Sequence, residues 1–281
     1  MAVKVYKPTT PGRRKSSVQD FSDITKKRPE KSLLAPMKSK AGRNNQGKIT
    51  VRHRGGGVKK LYRVVDFKRH DLDVEFEVKT IEYDPNRNAR IMMVQSEAGK
   101  KAYYLAPQGI EVGQKIVCSK EGVEAITGNR MPLEKIPVGL FVYNIEITPG
   151  KGGQIVRGAG NGAQLRVIEG KYAQMKLPSG EVRLIQKESF ATVGMVSNPD
   201  YRLIRWGKAG RRRMLGWRPI VKGKNMNPVD HPHGGGEGHS PIGLRGGPKT
   251  KWGKKAMGVK TRKQGKWSDK FVVKGRKSKK R

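Results

Sequence analysis

The stretch Asn225–Leu244, NMNPVDHPHGGGEGHSPIGL, gathers the side chains of this chain best suited to acid–base or metal chemistry. His231, His233 and His239 are three of the protein's five histidines, and Asp230 and Glu237 stand among them. An imidazole beside a carboxylate is the arrangement of a general base, and clustered imidazoles are zinc ligands. The spacing supports neither. His-x-His with a third histidine six residues on matches no metalloenzyme pattern, and Gly234, Gly235 and Gly236 would hold ligands loosely. A base at His231 or His233 also lacks a nucleophile and an obvious substrate pocket. Cys118 stands alone, which excludes an internal disulfide and a multi-cysteine zinc site and points to a reducing compartment.

The same stretch is better suited to shape than to catalysis. Pro228, Pro232 and Pro241 fix φ, while the three consecutive glycines open conformations closed to other residues. No helix or strand tolerates that alternation, so an irregular loop with a specified path is expected. Its twenty residues contain no Lys or Arg, although the tail around it, Arg202–Arg281, carries 25. A glycine-rich backbone lets such a loop approach an anionic surface closely, with imidazoles that hydrogen-bond or stack on RNA.

Charge identifies the surface. Lys+Arg 61 against Asp+Glu 23 gives +38 over 281 residues, and self-repulsion of that size calls for a polyanionic partner. Residues 1–60 hold 17 basic and 3 acidic side chains, residues 202–281 hold 25 and 3, and the 141 residues between hold 19 and 17. A nearly neutral body therefore carries two cationic extensions. No amphipathic basic helix or apolar run of about 20 residues suggests a membrane, and the N-terminus lacks a signal-peptide core.

The extensions have turn and coil chemistry, TTPGRRKS and RHRGGG among them, and are expected to be disordered without RNA. Between them the pattern turns β. Val74, Phe76 and Val78 alternate with charged residues; LYRVVDF (61–67), RIMMVQ (90–95), KAYYLA (101–106) and QKIVCS (114–119) follow in kind, and YDPNRN (83–88) is a turn presenting Arg87 and Arg90. A second series runs through FVYNIEI (141–147), GQIVRG (153–158), AQLRVIEG (163–170), YAQMKL (172–177), EVRLI (181–185) and FATVGMV (190–196), with a hairpin turn at LPSG. Two small barrels in tandem are expected, 61–130 and 131–201, between the extensions 1–60 and 202–281. After Tyr201 only 205–219 could form a short helix, and basic coil continues to the end. All four tryptophans (Trp206, Trp217, Trp252, Trp267) lie in that tail, where they either stack on nucleotides or pack back on the second barrel. The glycines of GKGGQIVRGAGNG (150–162) precede a strand and lack the P-loop Lys-Ser/Thr, so they make turns that bring Arg157 to phosphates.

SLLAP (32–36), GRNNQGKITVRHRGGG (42–57), YDPNRNA, KIPVG (135–139), PGKGGQIVRGAG (149–160), GKAGRRR (207–213), MNPVDHPHGGGEG (226–238) and SDKFVV (268–273) occur in this order. Together they resemble the L2 family of large-subunit ribosomal proteins in its bacterial form, along essentially the whole chain; residues 70–79 and 239–258 depart from it. The resemblance implies an OB-like barrel followed by an SH3-like barrel, extensions threading large-subunit rRNA, and a supporting role near the peptidyl transferase centre and in subunit joining. It also implies barrel–RNA contacts at Arg87 and Arg157, and places His231 nearest the catalytic RNA.

The candidate rRNA-binding set is Arg52, Arg54, Lys68, Arg69, Arg87, Arg90, Arg157, Lys208, Arg211, Arg212, Arg213, His231, His233, Gly234, Gly235 and Gly236. Expected partners are rRNA, neighbouring ribosomal proteins and the small subunit, with no homo-oligomer, in the cytoplasm. No cofactor of its own is expected, and Mg2+ only through bound rRNA. Two rivals remain: a nucleic-acid enzyme built on the histidine loop, and a DNA-compacting protein, to which a loop of fixed path is foreign.

Overall fold

The computed structural model describes residues 3–263 and 265–276. Short strands β1 (Lys4–Val5) and β2 (Ser17–Val18) pair antiparallel around helix α1 (Pro11–Arg14). Strands β3 (Leu34–Pro36) and β4 (Leu61–Arg63) form a second pair. The first main sheet contains β5 (Glu75–Glu82), β6 (Ile91–Ser96), β7 (Lys101–Leu105) and β8 (Lys115–Val117) in the order β7-β6-β5-β8, all antiparallel. The second contains β9 (Arg130–Pro132), β10 (Phe141–Tyr143), β11 (Ala163–Glu169), β12 (Tyr172–Lys176), β13 (Val182–Gln186), β14 (Phe190–Val193) and β15 (Val272–Lys274), in the order β15-β13-β12-β11-β10-β14-β9. The expected all-β class is what the chain adopts.

Each sheet has its own core. Phe76, Val78, Met92, Val94, Tyr104 and Ile116 fill the first, and Met131, Leu133, Val142, Ile145, Leu165, Met175 and Ile185 the second. A third cluster, Val65, Ile91, Met93, Tyr103, Leu105, Tyr143 and Val196, joins them. Strand β6 shows why its sequence is the unbroken run IMMV. Met92 and Val94 face the first core while Ile91 and Met93 face the joining cluster, so both faces are dry and alternation disappears. Where Val74 was expected to begin the alternation, the strand starts one residue later and Val74 is exposed.

Several segments depart from expectation. GQIVRG forms no ladder: Asn144 and Val156 take left-handed φ of 49° and 54°, and only an Ile145–Ile155 bridge survives. Residues before 61 are not simply an extension. Thr25 and Lys26 bond through their N–H groups to the Ile81 carbonyl, Glu30 N–H donates to Tyr103 Oη at 2.8 Å, and β3 pairs with β4. At the other end the expected coil returns to the second sheet as β15, because Phe271 packs 5.9 Å from Tyr172 and the apolar FVV run extends the open edge of β13.

The chain forms two compact units: a larger one up to Lys38, Lys59–Lys208 and from Ser268 on, and a smaller one of Ser39–Val58 and Ala209–Trp267. Among the described residues, every buried apolar side chain of the core belongs to the larger unit. The smaller carries 20 Lys/Arg against Asp230 and Glu237 alone. Its backbone path is specified, but among its described residues no apolar side chain is buried.

Candidate nucleic-acid interface

In the larger unit, Asp66 sets the local geometry. Its Oδ1 accepts the N–H groups of Lys68 (2.8 Å) and Arg69 (3.0 Å), an Asx turn that sends successive cations in opposite directions. Lys68 emerges at the surface. Arg69, at φ 51°, turns inward, donates from Nη1 to the Gly128 carbonyl at 2.8 Å, and lies 4.1 Å over the Tyr104 ring. Arg90 is also interior, at 2% exposure. Its guanidinium donates to Asp23 (3.0 and 3.1 Å), Gln19 Oε1 (2.9 Å) and the Asp20 carbonyl (2.7 Å). Arg69 and Arg90 were expected to reach RNA. Arg69 Nη1 and the Arg90 guanidinium instead bond within the fold, and Arg90 fastens the N-terminal segment to β6.

Arg87 and Arg157 meet at Phe67, with guanidinium carbons 5.5 and 4.4 Å from its ring centroid. Arg87 is ion-paired through Nε with Asp84, which is fully buried and also accepts Asn86 N–H at 2.8 Å. Arg157 makes no ion pair among the described residues; its Nη1 donates to Gly153 O at 3.2 Å. Desolvation, and then the Arg87 charge, lower its pKa from the ordinary guanidinium value. Asp84 offsets the Arg87 charge but not that of Arg157, and the guanidinium N–H groups beyond these two bonds suit a phosphate bridging the pair.

Beneath the second sheet sits an ionic contact that the sequence did not disclose. Buried Arg130 pairs with Glu146 at 3.0 Å, and the Glu146 carboxylate also accepts N–H groups from Gly150 (3.1 Å) and Gly152 (3.0 Å). It shapes the glycine loop that carries Arg157. Lys208 is exposed at the end of the Lys59–Lys208 segment of this unit.

In the smaller unit the RHRGGG segment lies along 214–219. Gly55 N–H donates to Gly216 O at 3.0 Å, Arg218 N–H to His53 O at 3.0 Å, and Val58 N–H to Met214 O at 3.1 Å. Gly57, at φ 98°, permits this approach: a Cβ there would lie 2.9 Å from Gly216 N. Arg54 stacks 3.4 Å over Trp217, with Arg212 at 5.2 Å from the same ring. Arg211, Arg212 and Arg213 occupy the last turn of the six-residue helix α2 (Ala209–Met214), where cations complement the carbonyl ends. Arg52 and Lys251 lie 5.1 and 5.0 Å from the centroid of Trp252. Tryptophans are thus sorted. Trp206 packs edge-on to Tyr201, Trp217 is half-buried under Arg54, and Trp252 and Trp267 are exposed.

The Asn225–Leu244 loop is closed by its own backbone. Asp230 and His231 N–H groups return to Asn227 O (3.0 and 3.3 Å), Gly234 N–H to His231 O (2.8 Å), and Gly235 N–H to Met226 O (3.0 Å). Its two central imidazoles accept: His231 Nδ1 from His233 N–H at 3.0 Å, and His233 Nε2 from Lys249 N–H at 2.9 Å. Their rings lie 4.7 Å apart. Desolvation, then His233 and Arg52, lower the His231 pKa. With Nδ1 accepting, the neutral ring carries its proton on Nε2, so neither nitrogen offers a free lone pair for proton abstraction. Among the described residues no group of three or more His, Cys, Asp or Glu could hold a metal.

Two family models divide the chain at the break between the sheets. Residues 30–118 match the Ribosomal Proteins L2 RNA-binding N-terminal domain, and residues 126–253 match the Ribosomal Proteins L2 C-terminal domain. The chain belongs to the ribosomal L2 family. As an L2-family protein it is an rRNA-binding structural component of the large ribosomal subunit and serves translation, and its N-terminal domain is OB-like. The matches include both clusters of paired cations, at Phe67 and Trp217, and the whole histidine loop.

Proposed function

We propose that this L2-family protein organises rRNA near the peptidyl transferase centre by shape, performs no chemistry itself, and supports tRNA binding, peptide-bond formation and subunit joining. The observation that carries this reading is the engagement of both central imidazoles by backbone N–H groups. They act as spacers that set the loop's path, and the loop's lack of Lys and Arg lets it approach packed RNA without competing for phosphates. Phosphate contacts fall to the paired cations on Phe67 and Trp217. Neighbouring ribosomal proteins and the small subunit complete its surroundings in the cytoplasm, and Mg2+ reaches it only through rRNA. The coreless smaller unit folds fully on RNA, which supplies the countercharge its sequence lacks.

Val229, at the loop tip, is 97% exposed, while Cys118 is buried with its thiol pKa raised by desolvation. A Val229→Cys variant therefore offers one reactive thiol on this chain, to be loaded with a short cross-linker before the protein is incorporated into large subunits. Cross-links to the catalytic region of the rRNA are expected. Cross-links only to protein, or to RNA remote from that region, would overturn the placement.

A further inference from the structure

We infer that the hairpin 248–256 is a stacking site for an unpaired nucleotide, with Trp252 as its platform; this rests on the rRNA-binding reading and names the kind of nucleotide bound. The hairpin is built rather than loose. Thr250 N–H donates to Lys254 O at 2.7 Å, Gly253 N–H to Thr250 O at 3.0 Å, and Ala256 N–H to Pro248 O at 2.7 Å. Lys249 N–H ties its base to His233. Trp252 sits in the turn and is 66% exposed, so it contributes little to packing.

Its setting differs from that of Trp217 in the way a ligand site requires. Arg54 lies 3.4 Å from the Trp217 ring, which closes that face. Arg52 and Lys251 lie 5.1 and 5.0 Å from the Trp252 centroid, within cation–π range but not in stacking contact, so Arg52 must swing outward by about 2 Å to admit a base beneath it. A nucleobase can slide onto the indole and be capped by the Arg52 guanidinium, whose plane stacks on bases as on aromatic rings. Lys251 and Lys254 then meet the flanking phosphates. Residues 238–268 contain no Asp or Glu, so the local sequence supplies no competing carboxylate. A phosphate alone would need no indole, and a base within a duplex hides its faces, so the geometry selects an unpaired base.

The test uses full-length protein and two short RNA hairpins of equal charge, one with a single bulged 2-aminopurine and one with that base paired. Wild-type protein is expected to bind the bulged RNA about tenfold more tightly and to quench its fluorescence. Trp252→Phe should keep most of that preference. Trp252→Leu should lose it while retaining the salt-dependent affinity common to both RNAs. Equal wild-type affinity for the two, or a preference that survives Trp252→Leu, would overturn the inference and leave rRNA binding intact. Failure to bind either RNA would overturn the RNA-binding reading and the inference with it.

Discussion

Removing Arg157 and removing Arg87 should have different consequences, although both cations sit on Phe67. Arg157 gives up one bond to a carbonyl and a ring contact, and leaves no charge stranded. Its replacement by Ala should weaken rRNA binding by about 1.5–3 kcal/mol, the contribution of hydrogen bonds to a charged group, or roughly ten- to 150-fold in Kd. The melting temperature should barely move. Arg87→Ala should cost similar affinity and also destabilise the fold by about 1–3 kcal/mol, because fully buried Asp84 then loses its cation. Binding titrated against salt with a defined rRNA fragment, alongside thermal unfolding, separates the two effects. Each variant should lower the salt slope by about one phosphate contact. The double variant should fall short of additivity, since both residues serve one anion. Additive losses with an unchanged salt slope would refute the shared-phosphate argument.

Other outcomes follow from the same geometry. Gly234→Ala places a Cβ 2.2 Å from the Asn227 carbonyl oxygen, while a Cβ at Gly246 meets open space; only the first should impair incorporation into large subunits, read by particle composition. Lowering the pH should loosen the histidine loop. The folded pKa of His231 is depressed, so its contribution is complete above the free imidazole value of about 6.5 and is lost as pH falls through the folded value. Amide exchange at His233, corrected for intrinsic rate, should accelerate below that range, and a flat profile would refute the acceptor role of Nδ1. Limited proteolysis without RNA should cut first within 39–58 and 209–267, which have no apolar core, and spare the strands from β5 to β14. Initial cleavage inside the two main sheets would contradict that division.

The sequence made the β-rich centre legible because its strands alternate or run apolar between turn residues, and the LPSG hairpin turn closes as expected, with Gly180 N–H on Leu177 O at 2.9 Å. Side-chain partnership was not legible. Arg87 and Arg90 are three residues apart on one turn, yet one approaches the surface and the other is enclosed by Asp20, Asp23 and Gln19 from a segment read as free coil. The acids Asp20 and Asp23, in an otherwise basic arm, were the available signal. Likewise Phe271-Val272-Val273 in a lysine-rich tail marked a strand without naming its partner, β13. Pairing across more than seventy residues depends on which edge is open, and periodicity carries no such information.

The most direct test of the central claim is single-turnover peptide-bond formation on purified, compositionally complete particles carrying His231→Gln. Glutamine can still accept the His233 N–H but cannot titrate, so the loop keeps its path and loses any acid–base capacity. Peptidyl transfer is expected to slow modestly, well short of the roughly 10²–10⁴-fold that follows loss of an acid–base group. Complete particles that assemble normally but lose the chemistry would contradict the account.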